Sequence, residues 1–368
     1  MATGVVPPFR PGGDFTVGVE EELMLVDGAG ELLGHHGVKV VASLGRSTPS
    51  GARVTGEVYA DQVELNTPAC AGAEAVVASL RGLRDGVVAQ GARPMAVAVH
   101  PSAPLGGACF VPSPRYDAII AEYAGLLRTP TAALQVHVGL PDTETLVRAY
   151  RGLRHRLPLL RALAAGSPYW HGVDSGLASA RAAILRSYPR TTVAPLLRSW
   201  EEYVERTESL VAAAELADHT YVWWDLRPRP ELGTLEVRVM DAQPSLARVA
   251  GLTALVQGMA RRAVEDPDPE DLSDDVVGVN DHRAAREGLD PRVVDVDGSV
   301  RPLRVVAGQA LAEAREVLAG DGLDAPLEVV EEMLRQPGEP ARQRAVLATG
   351  GMPALLADLV ARTVDLDG

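Results

Sequence analysis

The sequence predicts an α+β fold in which a mainly antiparallel sheet is backed by helices. Four segments alternate apolar and polar residues with the period of two that is typical of strands with one buried face. Three longer segments carry apolar residues with helical periodicity. The predicted strands lie at 15–26, 62–66, 134–139 and 221–241, and the long helices at 72–91, 196–217 and 244–264.

The first strand reads FTVGVEEELMLV over 15–26. Because successive side chains of a strand point to opposite faces, Glu20 and Glu22 stand side by side, and Glu21 is an exception on the apolar face. Two carboxylates at this spacing repel each other unless a cation lies between them. The first strand therefore indicates a cation site.

Alternation of polar and apolar residues also occurs in the region that follows the first strand. A helical segment near 37–44 precedes a hairpin-like region at 53–66, whose second segment carries Gln62 and Glu64 on its polar face. A buried strand is predicted at 95–99.

A loop rich in Pro and Gly at 101–114 has the length of loops that are often functional. A helix near 115–127 leads from it to the strand at 134–139. That strand places Gln135 and His137 on one face.

Helical periodicity returns at 142–165, and Pro158 predicts a kink or break within it. A stretch of small and aromatic residues at 167–176 has no clear period, and a short helical pattern follows at 178–186.

The fourth region, 221–241, reads as two short strands joined by a turn at 228–233, with Glu236 and Arg238 on one face of the second strand. An acidic, proline-containing run at 265–275 predicts a linker to a mostly helical C-terminal part. We expect one domain over 1–368, with a sheet core at 15–264 and a helical part at 276–368 packed on it.

The polar side chains of these strands are dominated by glutamate. For any single strand a solvated face is the simpler interpretation, but solvated faces usually mix lysine, threonine and serine with the acids. Carboxylates and an imidazole drawn from separate strands suit Mg²⁺ or Mn²⁺. The residues are Glu20, Glu22, Gln62, Glu64, Gln135, His137, Glu236 and Arg238.

Arg238 lies two residues after Glu236 and therefore on the same face. Its guanidinium is suited to bidentate binding of a phosphate. An ion pair with a neighbouring glutamate is the alternative, and the sequence leaves both open.

Composition excludes several classes of protein. The 368 residues are 46% apolar and carry a net charge of -14, which argues against nucleic acid or an anionic membrane as partner. No apolar run reaches the length of a membrane-spanning helix, so we expect a cytoplasmic protein. The two cysteines form no CxxC pattern. A homodimer is the expected assembly, because symmetric dimers are the commonest.

Lys39 is the only lysine. This excludes the G-x-x-x-x-G-K-[ST] phosphate loop, so any phosphate chemistry must use arginine and metal. The sequence also contains no GxSxG, no HExxH and no dinucleotide GxGxxG after a strand.

Six stretches of the sequence resemble the bacterial carboxylate-amine ligases of the type 2 glutamate-cysteine ligase group. They occur in the order of that family and span most of the chain, which makes the combination specific. The stretches are VGVEEELMLVD (17–27), QVELNTPAC (62–70), QVHVG (135–139), SPYWHGVDSGLASAR (167–181), WWDLRPRPELGTLEVRVMD (223–241) and NDHRAAREGL (280–289).

The resemblance implies a glutamine-synthetase-like catalytic fold, with a curved antiparallel sheet backed by helices. It also implies ATP-dependent amide formation through an acyl phosphate, between the γ-carboxylate of glutamate or a similar acid and an amine such as cysteine. The matching positions imply five Mg²⁺ ligands, with Mn²⁺ as a substitute: Glu20, Glu22, Glu64, His137 and Glu236.

The resemblance also implies roles for side chains around these ligands. Arg238 and Glu236 are assigned to catalysis, with Arg238 contacting the transferring phosphate. Arg181 and Gln135 are assigned to the acid substrate. ATP is assigned to Arg238 and to two further residues of the matching stretches, Arg227 and Asn280.

Several residues depart from the family pattern. Ser102 stands where a Phe is common, Asp281 replaces an Arg, and His282 and Glu287 replace aromatic residues. These departures put the nucleotide or amine pocket in question, and with it the identity of the amine.

Two other functions remain open at this stage. The same carboxylates could activate water in a metal-dependent hydrolase. The changed stretch at 280–289 instead suits a catalytically altered relative that binds a metabolite. For a ligase, Glu21 or Asp61 is a candidate base to take the proton of the amine.

Overall fold

The computed structural model describes residues 4–45, 51–123, 127–266 and 270–365, so parts of the predicted helix at 115–127 and of the predicted linker at 265–275 lie outside the described residues. The strands are β1 (Val17–Val26), β2 (Arg53–Gly56), β3 (Gln62–Asn66), β4 (Arg93–Met95), β5 (Ala133–Gly139), β6 (Tyr169–Trp170), β7 (Val173–Asp174), β8 (Leu226–Arg229), β9 (Thr234–Asp241), β10 (Arg292–Val294) and β11 (Val300–Pro302).

The α-helices are α1 (His36–Leu44), α2 (Ala73–Ala89), α3 (Pro114–Tyr123), α4 (Thr143–Arg154), α5 (Leu157–Ala164), α6 (Ala180–Arg186), α7 (Trp200–Ala213), α8 (Leu246–Ala263), α9 (Asp274–Glu287), α10 (Leu303–Ala319), α11 (Leu327–Arg335) and α12 (Glu339–Val364). A 3₁₀ turn at His219–Tyr221 precedes β8.

Seven strands of the described part form one sheet in the order β2-β3-β1-β5-β9-β8, and β4 pairs with the end of β1. Every pairing in this sheet is antiparallel. The predicted α+β fold with a mainly antiparallel sheet is therefore confirmed.

One face of the sheet packs on helices α2 and α8. Val19 and Leu23 of β1 lie in the same buried core as Leu80 of α2 and Leu252 of α8, and all four side chains are at most 2% exposed. Removal of this apolar surface from water is the main driving force for the layer arrangement. The C-terminal helices join the same core, since Ala314 of α10 packs against α8.

Among the described residues Glu21 is the one acid on this apolar face, and a buried arginine is paired with it. Arg84 of α2 donates from Nε to Glu21 Oε2 at 2.9 Å and from Nη2 to Oε1 at 2.5 Å. Arg84 also donates to the main-chain carbonyls of Gln243, Pro244 and Thr363. The pair ties the central strand to α2, to the start of α8 and to the end of α12.

Helix α12 covers one end of the opposite face. Its residues Leu355 and Leu359 pack with Met24 of β1 and Met95 of β4. By length and composition alone α12 is apolar enough to cross a membrane, contrary to the prediction that no segment is. Gly351, with φ of 70°, splits it into two helical segments.

Two predicted boundaries of secondary-structure elements differ from those in the structure. The strand expected at 95–99 is replaced by β4, which ends at Met95, and the buried residues after it leave the sheet ladder. The predicted break at Pro158 occurs a few residues earlier, between α4 and α5. Pro158 itself lies in the first turn of α5, where the missing N–H costs no hydrogen bond.

We expect Arg84→Met to lower the free energy of unfolding by about 3–5 kcal/mol, because it leaves Glu21 as an uncompensated buried charge. Denaturant unfolding measures the loss. Arg148→Met, which breaks an exposed pair with Glu144, is the matched control and should cost less than about 1 kcal/mol. Equal effects of the two substitutions would contradict the central role of Arg84.

Candidate active site

The strand register brings the predicted site residues together. Glu22 lies opposite Glu64 across the β1–β3 pair, and His137 lies opposite Glu236 across the β5–β9 pair. Glu20 faces Gln135 across β1–β5. Above these residues is a cleft of about 400 Å³, lined on its floor by the glutamates of β1 and β3.

A first cluster joins Glu22, Glu64 and Glu57, whose carboxylate oxygens lie within 4.8 Å of one another. Burial raises the pKa of Glu22 to about 7, and the neighbouring Glu64 carboxylate adds to the rise. Burial and the neighbouring carboxylates of Glu64 and Glu22 raise the pKa of Glu57 well above its usual value. Repulsion of this kind is relieved by a bound cation.

The sequence interpretation missed Glu57. It lies one residue beyond the end of β2, with the same parity as Thr55, which faces Glu64 in the β2–β3 pair. This parity is the one signal that points to it.

Hydrogen bonds fix the orientation of two carboxylates in this cluster. Glu22 accepts from the backbone N–H of Ala133 at 2.8 Å and from Gln135 Nε2 at 2.7 Å. Glu64 Oε1 accepts from Thr55 Oγ1 and from Asn66 Nδ2, both at 2.9 Å. The cluster is therefore held in place before any ligand binds.

A second cluster joins Glu20, His137 and Glu236. His137 Nε2 lies 3.3 Å from Glu20 Oε1 and 3.8 Å from Glu236 Oε1, while Nδ1 bonds Thr234 Oγ1 at 2.9 Å. Nε2 is buried and faces both carboxylates. A ring nitrogen and two carboxylates that converge in this way fit a shared cation.

Two arginines donate hydrogen bonds to Glu236, and Arg229 Nη1 lies 3.7 Å from its Oε2. Arg227 donates from Nε to Oε2 at 2.6 Å and from Nη2 to Oε1 at 3.1 Å. Arg238 donates to Glu236 Oε1 and to Gln135 Oε1. Burial alone would raise the pKa of Glu236, but Arg227, Arg238 and His137 hold it well below its usual value. The ion pair of Arg238 is thus formed, and its guanidinium also lines the cleft.

The hairpin turn between β8 and β9 places both arginines. Gly233 has φ of 64°, and a Cβ there would lie 1.9 Å from the carbonyl oxygen of Arg10. Only glycine fits this turn. The turn sets the register in which Arg227 faces Glu236.

Arg181 is a buried cation in the wall of the cleft. Its Nη2 donates to the carbonyl of Arg238 at 3.2 Å, but Nε and Nη1 are buried without hydrogen-bond partners in the described part of the chain. The nearest carboxylate oxygen to Nη1, Asp241 Oδ1, is 4.0 Å away. Arg181 therefore has donors available for an anionic ligand.

The model of the glutamate-cysteine ligase family 2 matches residues 16–355 of this chain. The chain belongs to that family.

Relatives and solved structures agree with this membership. A Rubrobacter xylanophilus protein with the provisional name glutamate-cysteine ligase 2-3 is 37% identical over 370 residues, covering 97% of this chain and 98% of the relative. The Haloquadratum walsbyi glutamate-cysteine ligase is 31% identical over 357 residues, covering 94% of this chain and 95% of that protein.

The fold is shared with the glutamate-cysteine ligase of Francisella tularensis, solved in complex with AMP, at a TM-score of 0.73 and 14% identity over 96% of this chain and 89% of that one. Family and fold place the chain among ATP-dependent ligases of the glutamate-cysteine ligase type. They also confirm the catalytic fold that the resemblance implied.

Three residues predicted to bind ATP or to act as the base do not line the cleft. Asn280 does not line the cleft, since its amide exchanges hydrogen bonds with the backbone of Val294 at 2.8 and 3.0 Å, and its position gives no support to nucleotide binding. Glu21 is on the helix-covered face with Arg84, so it is wrong as the base for the amine. Asp61, the other candidate, is buried outside the cleft lining.

The departures from the family pattern also lie outside the cleft lining. Asp281 is buried and bonds Arg161 and Arg186, which both also contact Asp225. His282 and Glu287 line a shallow surface depression. Of the changed residues, only Asp281 therefore belongs to a charge network, and this network reaches the cleft at Asp225.

We expect the stability of the Mg²⁺-free protein to fall as pH rises from about 5 to 8. The pKa of Glu22 is raised to about 7 in the folded state, so folding binds a proton that is lost as pH rises through this value. Ionisation of Glu22 in the folded protein lowers the free energy of unfolding by an amount on the order of 3 kcal/mol. Glu22→Gln should remove this part of the pH dependence, as measured by denaturant unfolding.

Saturating Mg²⁺ should abolish the fall in stability in the wild-type protein. Glu205→Gln, at an exposed position on α7, is the control and should leave the pH profile unchanged. A Glu22→Gln profile that overlays the wild type would contradict the electrostatic account of the first cluster.

Proposed function

We propose that this protein joins the γ-carboxylate of glutamate, or of a similar acid, to an amine such as cysteine, with ATP and Mg²⁺ and through an acyl phosphate. The observation that carries the proposal is that Glu22, Glu57, Glu64 and Glu20 line one cleft together with Arg238 and Arg181, while His137 and Glu236 lie buried beside Glu20. Metal ligands, a phosphate-binding cation and a carboxylate-binding cation are what this reaction needs together.

Divalent cations would be held by Glu22, Glu57 and Glu64 on one side and by Glu20, His137 and Glu236 on the other. Bound there, they would neutralise phosphate oxygens of ATP. All donors are carboxylate oxygens or imidazole nitrogen, which suits Mg²⁺ and Mn²⁺.

Arg238 supplies the positive charge for the transferred phosphate in a chain with a single lysine. Glu236 and Gln135 orient its guanidinium before the substrate binds. A preorganised cation stabilises the charge that builds on the phosphate oxygens without having to reorient during the reaction. Arg227 holds Glu236 from the other side.

Arg181 binds the carboxylate of the acid substrate. Burial lowers the pKa of Arg181, and its unused donors favour an anion beside it. The aromatic rings of Tyr59, Tyr116 and Trp223 line the rest of the cleft and exclude water from the reacting groups.

We expect ADP release to require both an acid and an amine. The measurement is a coupled ADP assay with Mg²⁺, glutamate and other acids, each tested against cysteine and a panel of amines. ADP formed equally well without an amine would contradict the ligase proposal. Hydrolysis of a phosphoester or amide without nucleotide would favour a hydrolase, and tight ATP binding without turnover would favour a metabolite-binding relative.

We expect Arg181→Met to raise the KM for the acid roughly 100-fold, because a charge-assisted pair is lost. The KM for ATP should stay within about twofold. Steady-state kinetics with each substrate varied separately provide the test. Arg198→Met, at an exposed position, is the matched control. A rise in the KM for ATP with an unchanged KM for the acid would reassign Arg181 to the nucleotide.

A further inference from the structure

A second cavity of about 940 Å³ lies behind the cleft wall, between α5, α8, the end of α9, α11 and the start of α12. Within the described part of the chain it shares no lining residue with the cleft. Leu163, Met333 and Pro337 form part of its apolar surface. A pocket of this size holds a small metabolite.

Three arginines of this cavity surround one buried carboxylate. Glu339 is 5% exposed and accepts from Arg342 Nε at 3.0 and 3.1 Å and from Arg362 Nη1 at 2.9 Å to each oxygen. Arg342 also contacts Asp358 at 2.8 Å. Counting Arg248, three guanidinium groups lie beside these two carboxylates. The cavity lining as a whole carries six arginines against four acids, Glu287, Asp290, Glu332 and Glu339.

The electrostatics of Arg248 agree with a local excess of positive charge. Burial lowers its pKa, and the attraction of Glu339 is opposed by repulsion from Arg362 and Arg342. Glu339 also stands in the first turn of α12, whose N-terminal end favours negative charge. A further anion in the cavity would therefore be attracted from three sides.

Hydrogen bonds link Glu339 to Asp241, the buried carboxylate that lies closest to Arg181 Nη1. Gln343 donates to Gly166 O at 2.8 Å and to Glu339 Oε1 at 3.3 Å. The N–H of Gly166 donates to Asp241 Oδ2 at 3.0 Å, and Asp241 Oδ1 is the carboxylate oxygen 4.0 Å from Arg181 Nη1. Four contacts thus connect Glu339 to Arg181, three hydrogen bonds and the 4.0 Å approach of Asp241.

A second connection runs through Arg248. Its Nε donates to Gln243 Oε1 at 2.8 Å, and Gln243 Nε2 donates to the carbonyl of Asp241 at 2.8 Å. Both connections meet at Asp241, which is fully buried.

We propose that this cavity is a regulatory site for a small molecule that carries a carboxylate or phosphate group on an apolar body. The anion competes with Glu339 for Arg342, Arg362 and Arg248. Its binding changes the position of Asp241 and thereby the affinity of Arg181 for the acid. The effect on the acid depends on the proposed role of Arg181, whereas binding at the cavity does not.

Calorimetric titration with phenyl phosphate and with benzoate tests the site, because the two probes share an apolar ring and differ in the anion. We expect binding that survives Arg238→Gln in the cleft and weakens about tenfold or more in Arg342→Gln. Arg335→Gln, an exposed arginine of α11 outside this cavity, should bind as the wild type does. The tighter of the two probes identifies the anion.

Glu339→Gln should bind the same probe about tenfold more tightly, because the internal competitor is gone. This increase is a readout that a purely structural role of the arginines would not give. If Glu339→Gln does not fold, Arg362→Gln provides the second variant and should lose affinity as Arg342→Gln does.

Equal affinity in the wild type and in Arg342→Gln, or binding that is lost entirely in Arg238→Gln, overturns the proposed site. In the kinetic arm, the bound probe should change the KM for the acid at least twofold in the wild type and not in Arg342→Gln. Saturable binding with an unchanged KM overturns the regulatory link to Arg181. Since binding is measured without turnover, that result is distinguishable from a failure of the ligase proposal.

Discussion

The repulsion between carboxylates gathered on one face of the sheet is the constraint on which the rest of this structure depends. Glutamates from β1, β3 and β9, and one that follows β2, are brought together by strand register, although they are far apart in the chain. Their mutual repulsion acts against folding unless cations compensate it. Some of these carboxylates are paired with arginines of the chain and others are not. This difference divides the site into two parts with different chemistry.

The chain compensates some of these acids by itself. Glu236 lies between Arg227 and Arg238, and Glu21 on the opposite face is paired with Arg84. Charge-assisted hydrogen bonds from such partners hold a buried carboxylate in position. The cluster of Glu22, Glu57 and Glu64 lacks an arginine partner of this kind among the described residues, and the pKa values of its members are raised. This cluster is where an external cation has most to neutralise.

Strand periodicity was sufficient to predict the sheet and most of the site, because side chains in a strand alternate with a fixed period. Glu20, Glu22, Glu64 and His137 were predicted on one face and lie there in the structure. Glu57 was missed because it lies beyond the end of a four-residue strand, where alternation is no longer a reliable guide.

The roles of residues on helices and in segments without a regular hydrophobic pattern were harder to predict. Asn280 was assigned from a matching stretch alone, and the structure shows that its side chain binds the backbone of β10. The base for the amine could not be chosen from sequence, because the charge of a residue does not reveal which partner it meets in the fold. Glu21 illustrates this, since its partner Arg84 is 63 positions away along the chain.

Cation binding at the two clusters can be tested by a crystal structure of the protein with Mn²⁺ and a non-hydrolysable ATP analogue, with the metal located by anomalous scattering. We expect one manganese peak among Glu22, Glu57 and Glu64, and a second among Glu20, His137 and Glu236. A nucleotide bound in the cleft with no manganese at either cluster would contradict this expectation.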